Sequence, residues 1–390
     1  MTQPRILHIT RNLPPLVGGM ERLNWHIADE LSRYAQVQLI GPSGSAAQRP
    51  PGVPVAEVPL RPLSRFLLAS ARQAVVVARQ FKPHVVLAGS GLTAPAAWLA
   101  ARASGARAYV YLHGLDAAVQ HPAYRAVWHP AIRCMDGVIA NSQPTAELAR
   151  NLGVAAEKIR IVHPGVTLPT APQSPAALQD FRQRHQLGNK RLLLSVGRLT
   201  TRKGLREFVQ QALPAIVQAA PDTLLVVVGD APADSLHASV QTRASIQAMA
   251  DAAGIGQHLR FLGVITDPQE LACAYESASL HIFPVRQLPG DPEGFGMVAI
   301  EAAAHGLPTV AFATGGIVDA VAEGQSGHLV VPGDYPALAQ AALHVLADGP
   351  GAWQTRASAF AAQFAWPVMG LRMQETLQIS EPTVYNSLKQ

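Results

Sequence analysis

The stretch DPEGFGMVAIEAAAHGLPTVAFATGG, residues 291–316, sets two carboxylates, Glu293 and Glu301, eight residues apart. A glycine-containing loop lies between them and runs into an apolar, helix-like segment. The start of a helix presents backbone N–H groups without intrahelical partners and the positive end of the helix dipole, and both attract the polar and anionic parts of a ligand. Glu293 stands at the mouth of that loop, and Glu301 follows about two turns down the helix. Two acceptors about one sugar length apart, with amide donors between them, suit a polyhydroxylated, phosphorylated ligand. The plainer reading is a capping acid and a solvated helix acid, and the surrounding residues lower its weight.

In SVGRLTTRKG a strand-like run ends at Gly197, and Arg198 and Lys203 follow before the next helix. Two cations beside a strand's carboxyl end can clamp a diphosphate and stabilise the charge of a leaving nucleotide. Near the start, PPLVGGMER places Gly18 and Gly19 where backbone can approach a ligand closely at a helix entrance, with Glu21 just inside. YLHGLD puts His113 at the end of another strand; a lone histidine is more often a structural residue, but this position favours the cleft. VVLAGSGLTA has the outline of a dinucleotide fingerprint, Gly89-x-Gly91-x-x-Ala94. It is not in the first βαβ unit, and no acid ends the following strand to hold a ribose, so a nicotinamide cofactor is not expected.

These residues need elements to position them. RILHIT, VQLIGP, HVVLAGS, ARAYVYLHG, GVIANS and KIRIVHPG read as strands, alternating with helical patterns such as ERLNWHIADELSRY and SRFLLASARQAVVVARQF. The alternation predicts βαβ units and a parallel sheet covered on both faces. HPGVTLPTAPQSPAALQ then carries Pro164, Pro169, Pro172 and Pro175, which suits an extended connection without a regular element. Alternation resumes with RLLLSVGRL, TLLVVVGD, HLRFLG, SLHIFPV, PTVAFATGG and GHLVVPG. The chain therefore reads as two doubly wound α/β domains, 1–167 and 188–366, joined by a linker at 168–187, with 367–390 expected to pack back on the first. Two such domains facing each other make a cleft at the carboxyl ends of their strands.

Composition bounds the rest. At 390 residues, with 48% hydrophobic and 15% charged residues, the chain fits a globular enzyme of two domains. MTQP running straight into RILHIT reads as lacking a secretory leader, and no apolar run reaches the roughly 20 residues that span a bilayer. Cys134 and Cys273 lie far apart without metal-ligand spacing, so a cytoplasmic, reducing setting is expected. Residues 1–165 carry 17 Lys+Arg against 8 Asp+Glu, a net +9, and the rest of the chain a net −4. The basic half is the natural face for an acidic partner, whereas the absence of an aromatic RNA-binding signature or a helix-turn-helix pattern argues against nucleic acid. Arg65, Arg72 and Arg79 recur every seven residues, aligning on one helical face with modest drift, with Leu67, Leu68, Val75 and Val76 expected elsewhere around the helix. Such a face suits either solvent or anionic lipid, and the latter would go with a lipid-linked acceptor and peripheral membrane association.

GGMER, YLHG, SVGRLTTRKG, FLGVI and PEGFGMVAIEAAAHGLPTVAFATGG together, in this order, resemble family 4 of the retaining glycosyltransferases, similar to bacterial cell-envelope glycosyl- and mannosyltransferases. The resemblance implies the GT-B fold and transfer of a hexose from a nucleotide-diphosphate sugar to a hydroxyl of a glycan or lipid-linked acceptor. A UDP-sugar is favoured, with GDP-mannose as the alternative, and no cofactor or metal is implied; the chain contains no Asp-x-Asp. By resemblance, Glu293 holds donor-sugar hydroxyls with the amides of Gly294, Phe295, Gly296, Met297 and Val298, and Glu301 holds the ribose. Arg198, Lys203 and Gly197 meet the diphosphate, with Gly18 and Gly19 from the first domain. His113 sits beside the sugar, and the backbone around Val264 meets the base. The chain departs from the family at Asp319, where Glu is common, and at Thr167, Ser279 and Val285. Two other functions fit the same pieces: a nucleotide-sugar 2-epimerase, and a non-catalytic sugar-nucleotide-binding subunit.

Overall fold

The computed structural model describes residues 3–231, 240–349 and 351–379. The chain divides into two compact units. The first takes the chain as far as Gly165 and again from Trp366, and the second is Val166–Ala365.

In the first unit the strands are β1 (Arg5–Ile9), β2 (Gln36–Pro42), β3 (Val55–Val58), β4 (Val85–Ala88), β5 (Arg107–Leu112), β6 (Gly137–Ala140) and β7 (Ile159–Ile161). They form one parallel sheet in the order β3-β2-β1-β4-β5-β6-β7. The register aligns Ile6 with Val37 on one side and with Val85 on the other. β4 and β6 are buried at every position, as expected for strands covered on both faces. The chain moves to one side of β1 for β2 and β3 and to the other for β4 to β7. Right-handed crossovers therefore put helix Gly19–Ser32 on one face and helices Leu63–Phe81, Ala94–Ser104 and Pro122–Arg133 on the other. The second group shares one core with the sheet, built on Phe66, Ala74, Val77, Ala97, Ala100 and Ile132.

The second unit has β8 (Arg191–Val196), β9 (Thr223–Val228), β10 (Leu259–Gly263), β11 (Leu280–Phe283), β12 (Thr309–Phe312) and β13 (Gly327–Val330), all parallel, in the order β10-β9-β8-β11-β12-β13. The strand plan repeats that of the first unit without its last strand. Among the described residues no helix is long and apolar enough to cross a membrane.

One expectation changes. The proline-rich segment is not wholly extended, because Pro175–Arg184 is a helix. Ser174 caps it, its hydroxyl accepting from the Ala177 amide at 3.2 Å, and Pro175 occupies the first turn, where a missing N–H costs nothing. Phe181 is fully buried against Leu192 and Leu224, so the helix belongs to the second unit and is no free linker. Helix Trp366–Thr376 belongs to the first unit, where it packs on helix Gly19–Ser32. The Trp366 ring stacks on His26 at 3.9 Å between centroids, and a side chain at Gly165 would run into that ring. Arg107 ties down the end of this segment, donating to the Leu377 carbonyl at 2.8 Å. Of the returning segment, residues 380–390 lie outside those described.

Candidate active site

In the second unit the chemistry gathers where β8 and β11 end. The turn after β8 carries Arg202 and Lys203, and the PEGFG loop carries Glu293. Glu293 Oε2 accepts from both cations, with Lys203 Nζ at 2.9 Å and Arg202 Nη1 also in contact. Arg202 reaches further to Asp291 through Nε at 3.2 Å. Lys203 Nζ lies 4.6 Å from the centre of the Phe283 ring, a cation–π contact at the end of β11. The cluster is largely shielded: the side chains of Glu293, Arg202 and Lys203 are 12%, 14% and 18% exposed.

Shielding and pairing act in opposite directions on these groups. Burial works against ionisation of Glu293, but the charges and hydrogen bonds of Lys203 and Arg202 outweigh it and hold the carboxyl at about 2. Burial pulls Lys203 below its ordinary value, opposed by Glu293 and reinforced by Arg202 and Arg198. His281, inside β11, is pushed to about 3 by burial and by the nearby Lys203 charge, so it is neutral. The result is a fixed carboxylate with one oxygen anchored. Among the described residues its other oxygen, Oε1, has no hydrogen-bond partner.

The loop that carries Glu293 is held by close backbone approach. The Gly316 amide donates to the Glu293 carbonyl at 2.9 Å, and a side chain at Gly315 or Gly316 would collide with the backbone of Glu293 or Gly294. The double glycine of ATGG is therefore a packing requirement of the PEGFG loop. Gly296, at φ +93° and against the Phe283 ring, turns the chain into helix Met297–Ala304. The amides of Gly294, Gly296, Met297 and Val298 make no backbone hydrogen bond among the described residues, and Phe295 is buried beneath the loop. Glu301 lies within that helix, and Tyr275, on helix Pro268–Ser277, donates to its Oε2 at 3.0 Å.

The structure thus joins Lys203 to Glu293 directly. Gly197, Arg198 and Lys203 line one small hollow with Phe283 and Pro284. The Arg198 side chain is exposed and makes no ion pair among the described residues. Val264 is exposed just after β10. Three residues of the site did not stand out in the sequence. Arg202 adjoins Lys203 in TTRKG and Asp291 opens DPEGFG, so charge complementarity between the two motifs was the available signal. Tyr275 had none, because it comes from a helix that shares no motif with Glu301.

In the first unit, Gly18 and Gly19 are exposed at the start of helix Gly19–Ser32. Asn12 holds Glu21 there, donating at 2.6 Å. His113 follows β5, and its Nε2 lies 2.8 Å from the Gly89 carbonyl. A carbonyl only accepts, so Nε2 is the donor in this contact. The His113 amide donates to Asp116 at 3.0 Å, which fixes the turn. Gly89 has no space for a side chain, lying against Asn24 and His8, so its place in the apparent fingerprint is explained by packing. Arg65, Arg72 and Arg79 are all exposed on helix Leu63–Phe81, in the outer helical layer of the unit. Leu68 and Val76, expected elsewhere around that helix, are exposed too. Among the described residues no three His, Cys, Asp or Glu side chains are grouped as a metal site would require.

Comparison with known proteins agrees with this geometry. Residues 17–168 match the model of Glycosyltransferase Family 4, and residues 190–348 that of Glycosyl transferases group 1. The chain is 28% identical over 361 residues to the GDP-mannose-dependent alpha-(1-6)-phosphatidylinositol monomannoside mannosyltransferase of Mycolicibacterium smegmatis, covering 88% of this chain and 89% of that one. It is 34% identical over 253 residues to D-inositol 3-phosphate glycosyltransferase 1 of Catenulispora acidiphila, covering 63% and 57%. Among solved structures, HepE of Anabaena in complex with UDP superposes with a TM-score of 0.79 at 22% identity, covering 96% of this chain and 99% of that one. The chain belongs to the family 4 glycosyltransferases of the GT-B fold and uses a nucleotide sugar.

Proposed function

We propose that the protein is a metal-independent, retaining mannosyltransferase, moving mannose from GDP-mannose to a hydroxyl of a lipid-linked or glycan acceptor. The observation that carries the transfer chemistry is the ionised Glu293, with Oε2 anchored by Arg202 and Lys203 and Oε1 without a hydrogen-bond partner among the described residues, in the loop that carries the amides of Gly294, Gly296, Met297 and Val298. In this reading Oε1 and those amides bind the hydroxyls of the donor sugar, and Glu301, oriented by Tyr275, binds the ribose. Arg198 and Lys203 take the diphosphate, with Gly197 leaving room beside it and Val264 offering backbone to the base. Lys203 then exchanges part of its contact with Glu293 for phosphate oxygen, while Arg202 stays as the carboxylate's counter-charge. Gly18 and Gly19 offer open backbone to the donor, and His113 Nδ1 accepts a hydrogen bond from a substrate hydroxyl.

Chemically, the bond from the sugar's anomeric carbon to the diphosphate breaks, and the acceptor oxygen bonds to that carbon on the same face. The acceptor's proton passes to the departing phosphate. Such a path asks the protein for positioning and charge stabilisation, which this cluster provides. Support for GDP-mannose over the UDP-sugar favoured by the sequence is the named donor of the mycobacterial relative, which aligns over most of both chains.

The test is a thermal-shift panel of GDP, GDP-mannose, UDP and UDP-glucose with chelator present. A ligand at about 100 times its Kd adds about 2.7 kcal/mol to the folded state. GDP-mannose is expected to give the largest shift, and a shift with UDP-glucose alone overturns the donor assignment. Incubation without acceptor separates the remaining functions: an epimerase interconverts the free donor, whereas a transferase leaves its sugar configuration unchanged.

A further inference from the structure

The outer helical layer of the first unit is not used by the chemistry above, yet its side chains follow a pattern. Helices Leu63–Phe81, Ala94–Ser104 and Pro122–Arg133 cover one sheet face side by side and contain no Asp or Glu. Arg65, Arg72, Arg79, Arg102, Arg125 and Arg133 are all exposed on them. None makes an ion pair with a carboxylate among the described residues. Between these cations the layer also exposes Leu68, Val76, Leu99 and Val127, with Leu68 75% and Val127 51% accessible.

On the longest helix the two kinds of residue share a stripe. At about 100° per residue, Arg65, Leu68, Arg72, Val76 and Arg79 fall within an arc of about 80°. At a rise of 1.5 Å per residue the stripe is about 21 Å long. Arginines on the inner side of that helix would break the core around Phe66 and Ala74, so they can stand only outside. Leucine and valine on the same stripe are different, because nothing in the fold requires them there.

We propose that this three-helix layer is a docking surface for an anionic lipid bilayer. Arginines meet the negative headgroups, and Leu68, Val76, Leu99 and Val127 insert at the boundary with the acyl chains. A soluble polyanion would satisfy the arginines but leave the apolar side chains in water, so the mixture of the two favours a membrane. The layer contains none of the residues assigned to the donor and does not depend on which sugar is transferred.

The experiment is co-sedimentation of the whole protein with vesicles of phosphatidylcholine alone or mixed with phosphatidylglycerol, at low and high salt. Binding is expected only with phosphatidylglycerol and is weakened by salt. R65E/R72E/R79E is expected to lower the vesicle-bound fraction on the order of tenfold or more, and L68S/V76S several-fold. Both should keep the wild-type melting temperature and nucleotide shift; if the triple variant does not fold, R72E takes its place with a smaller loss. Equal binding to both vesicle types overturns the proposal, as does a charge-reversed variant that still binds. Undiminished binding by L68S/V76S overturns it in favour of a site for soluble polyanions.

Discussion

The two units repeat one strand plan but arrange their strand-end chemistry differently. In the second, four charged side chains, Arg202, Lys203, Asp291 and Glu293, form one shielded network at the ends of β8 and β11. In the first, His113 is held by a backbone carbonyl, and His8, in β1, is kept neutral, its value lowered to about 4 by burial despite the hydrogen bond that its Nε2 donates to Asn24 Oδ1. The first unit's charge lies on its outer helices instead. The same topology thus supports an ionic site and a backbone-held one, which shows that the sheet provides strand ends and the loops decide what they carry.

The largest expected effect breaks the ionic site. Glu293→Gln leaves Lys203 shielded without its counter-charge and Arg202 with Asp291 alone, which should cost about 3–5 kcal/mol of stability. It should also lower transfer by about 10²–10³-fold. His113→Gln in the first unit removes one hydrogen bond, with a stability cost of about 1 kcal/mol. Urea unfolding alongside donor turnover measures both. Equal stability losses for the two variants would remove the contrast.

Acid sharpens the comparison. His8 and His281 bind fewer protons folded than unfolded, so the stability that each contributes is complete above about 6.5. It is lost as pH falls toward about 4 for His8 and about 3 for His281. Glu293 is the opposite type of group with the same sign: its contribution is complete above its ordinary value near 4.5 and is lost as pH falls through about 2. Both units should therefore weaken between pH 6.5 and 4.5, and only the second should steepen below that. For His8 the loss is on the order of 3 kcal/mol, at about 1.4 kcal/mol per pH unit. Hydrogen exchange read separately in the two units checks this, and Glu293→Gln should make the acid limb of the second unit shallower, leaving the part due to Asp222, Asp230 and Glu323.

The smallest effect is at Tyr275. Tyr275→Phe keeps the ring stacked on His305, 5.3 Å away, and deletes only the hydroxyl that orients Glu301. A loss of about 1 kcal/mol, or roughly fivefold in donor KM with kcat little changed, is expected. A fall in kcat with KM unchanged would place Glu301 at the reacting bond and not at the ribose.

By itself, the sequence determined the alternation of strands and helices, because fully buried parallel strands must be continuous apolar runs such as TLLVVV and VVLA. It also singled out Arg198, Lys203 and Glu293 in the loops after apolar strands and Glu301 inside an apolar helix, since a charge against an apolar run is visible locally. Val55–Val58 escaped that reading, being short and only partly buried, as did the helix at Pro175–Arg184, whose prolines suggested an extended chain until Phe181 found a core. Only the tertiary structure decided which cation meets which carboxylate. Arg202 and Glu293 are 91 residues apart, and Tyr275 and Glu301 lie on different helices. Contacts of that span depend on strand order, which brings β11 beside β8, and local spacing carries no record of it. The return of Trp366–Thr376 to the first unit has the same cause, because its partners, His26 and Gly165, are far apart in sequence and are brought together only by the fold of that unit.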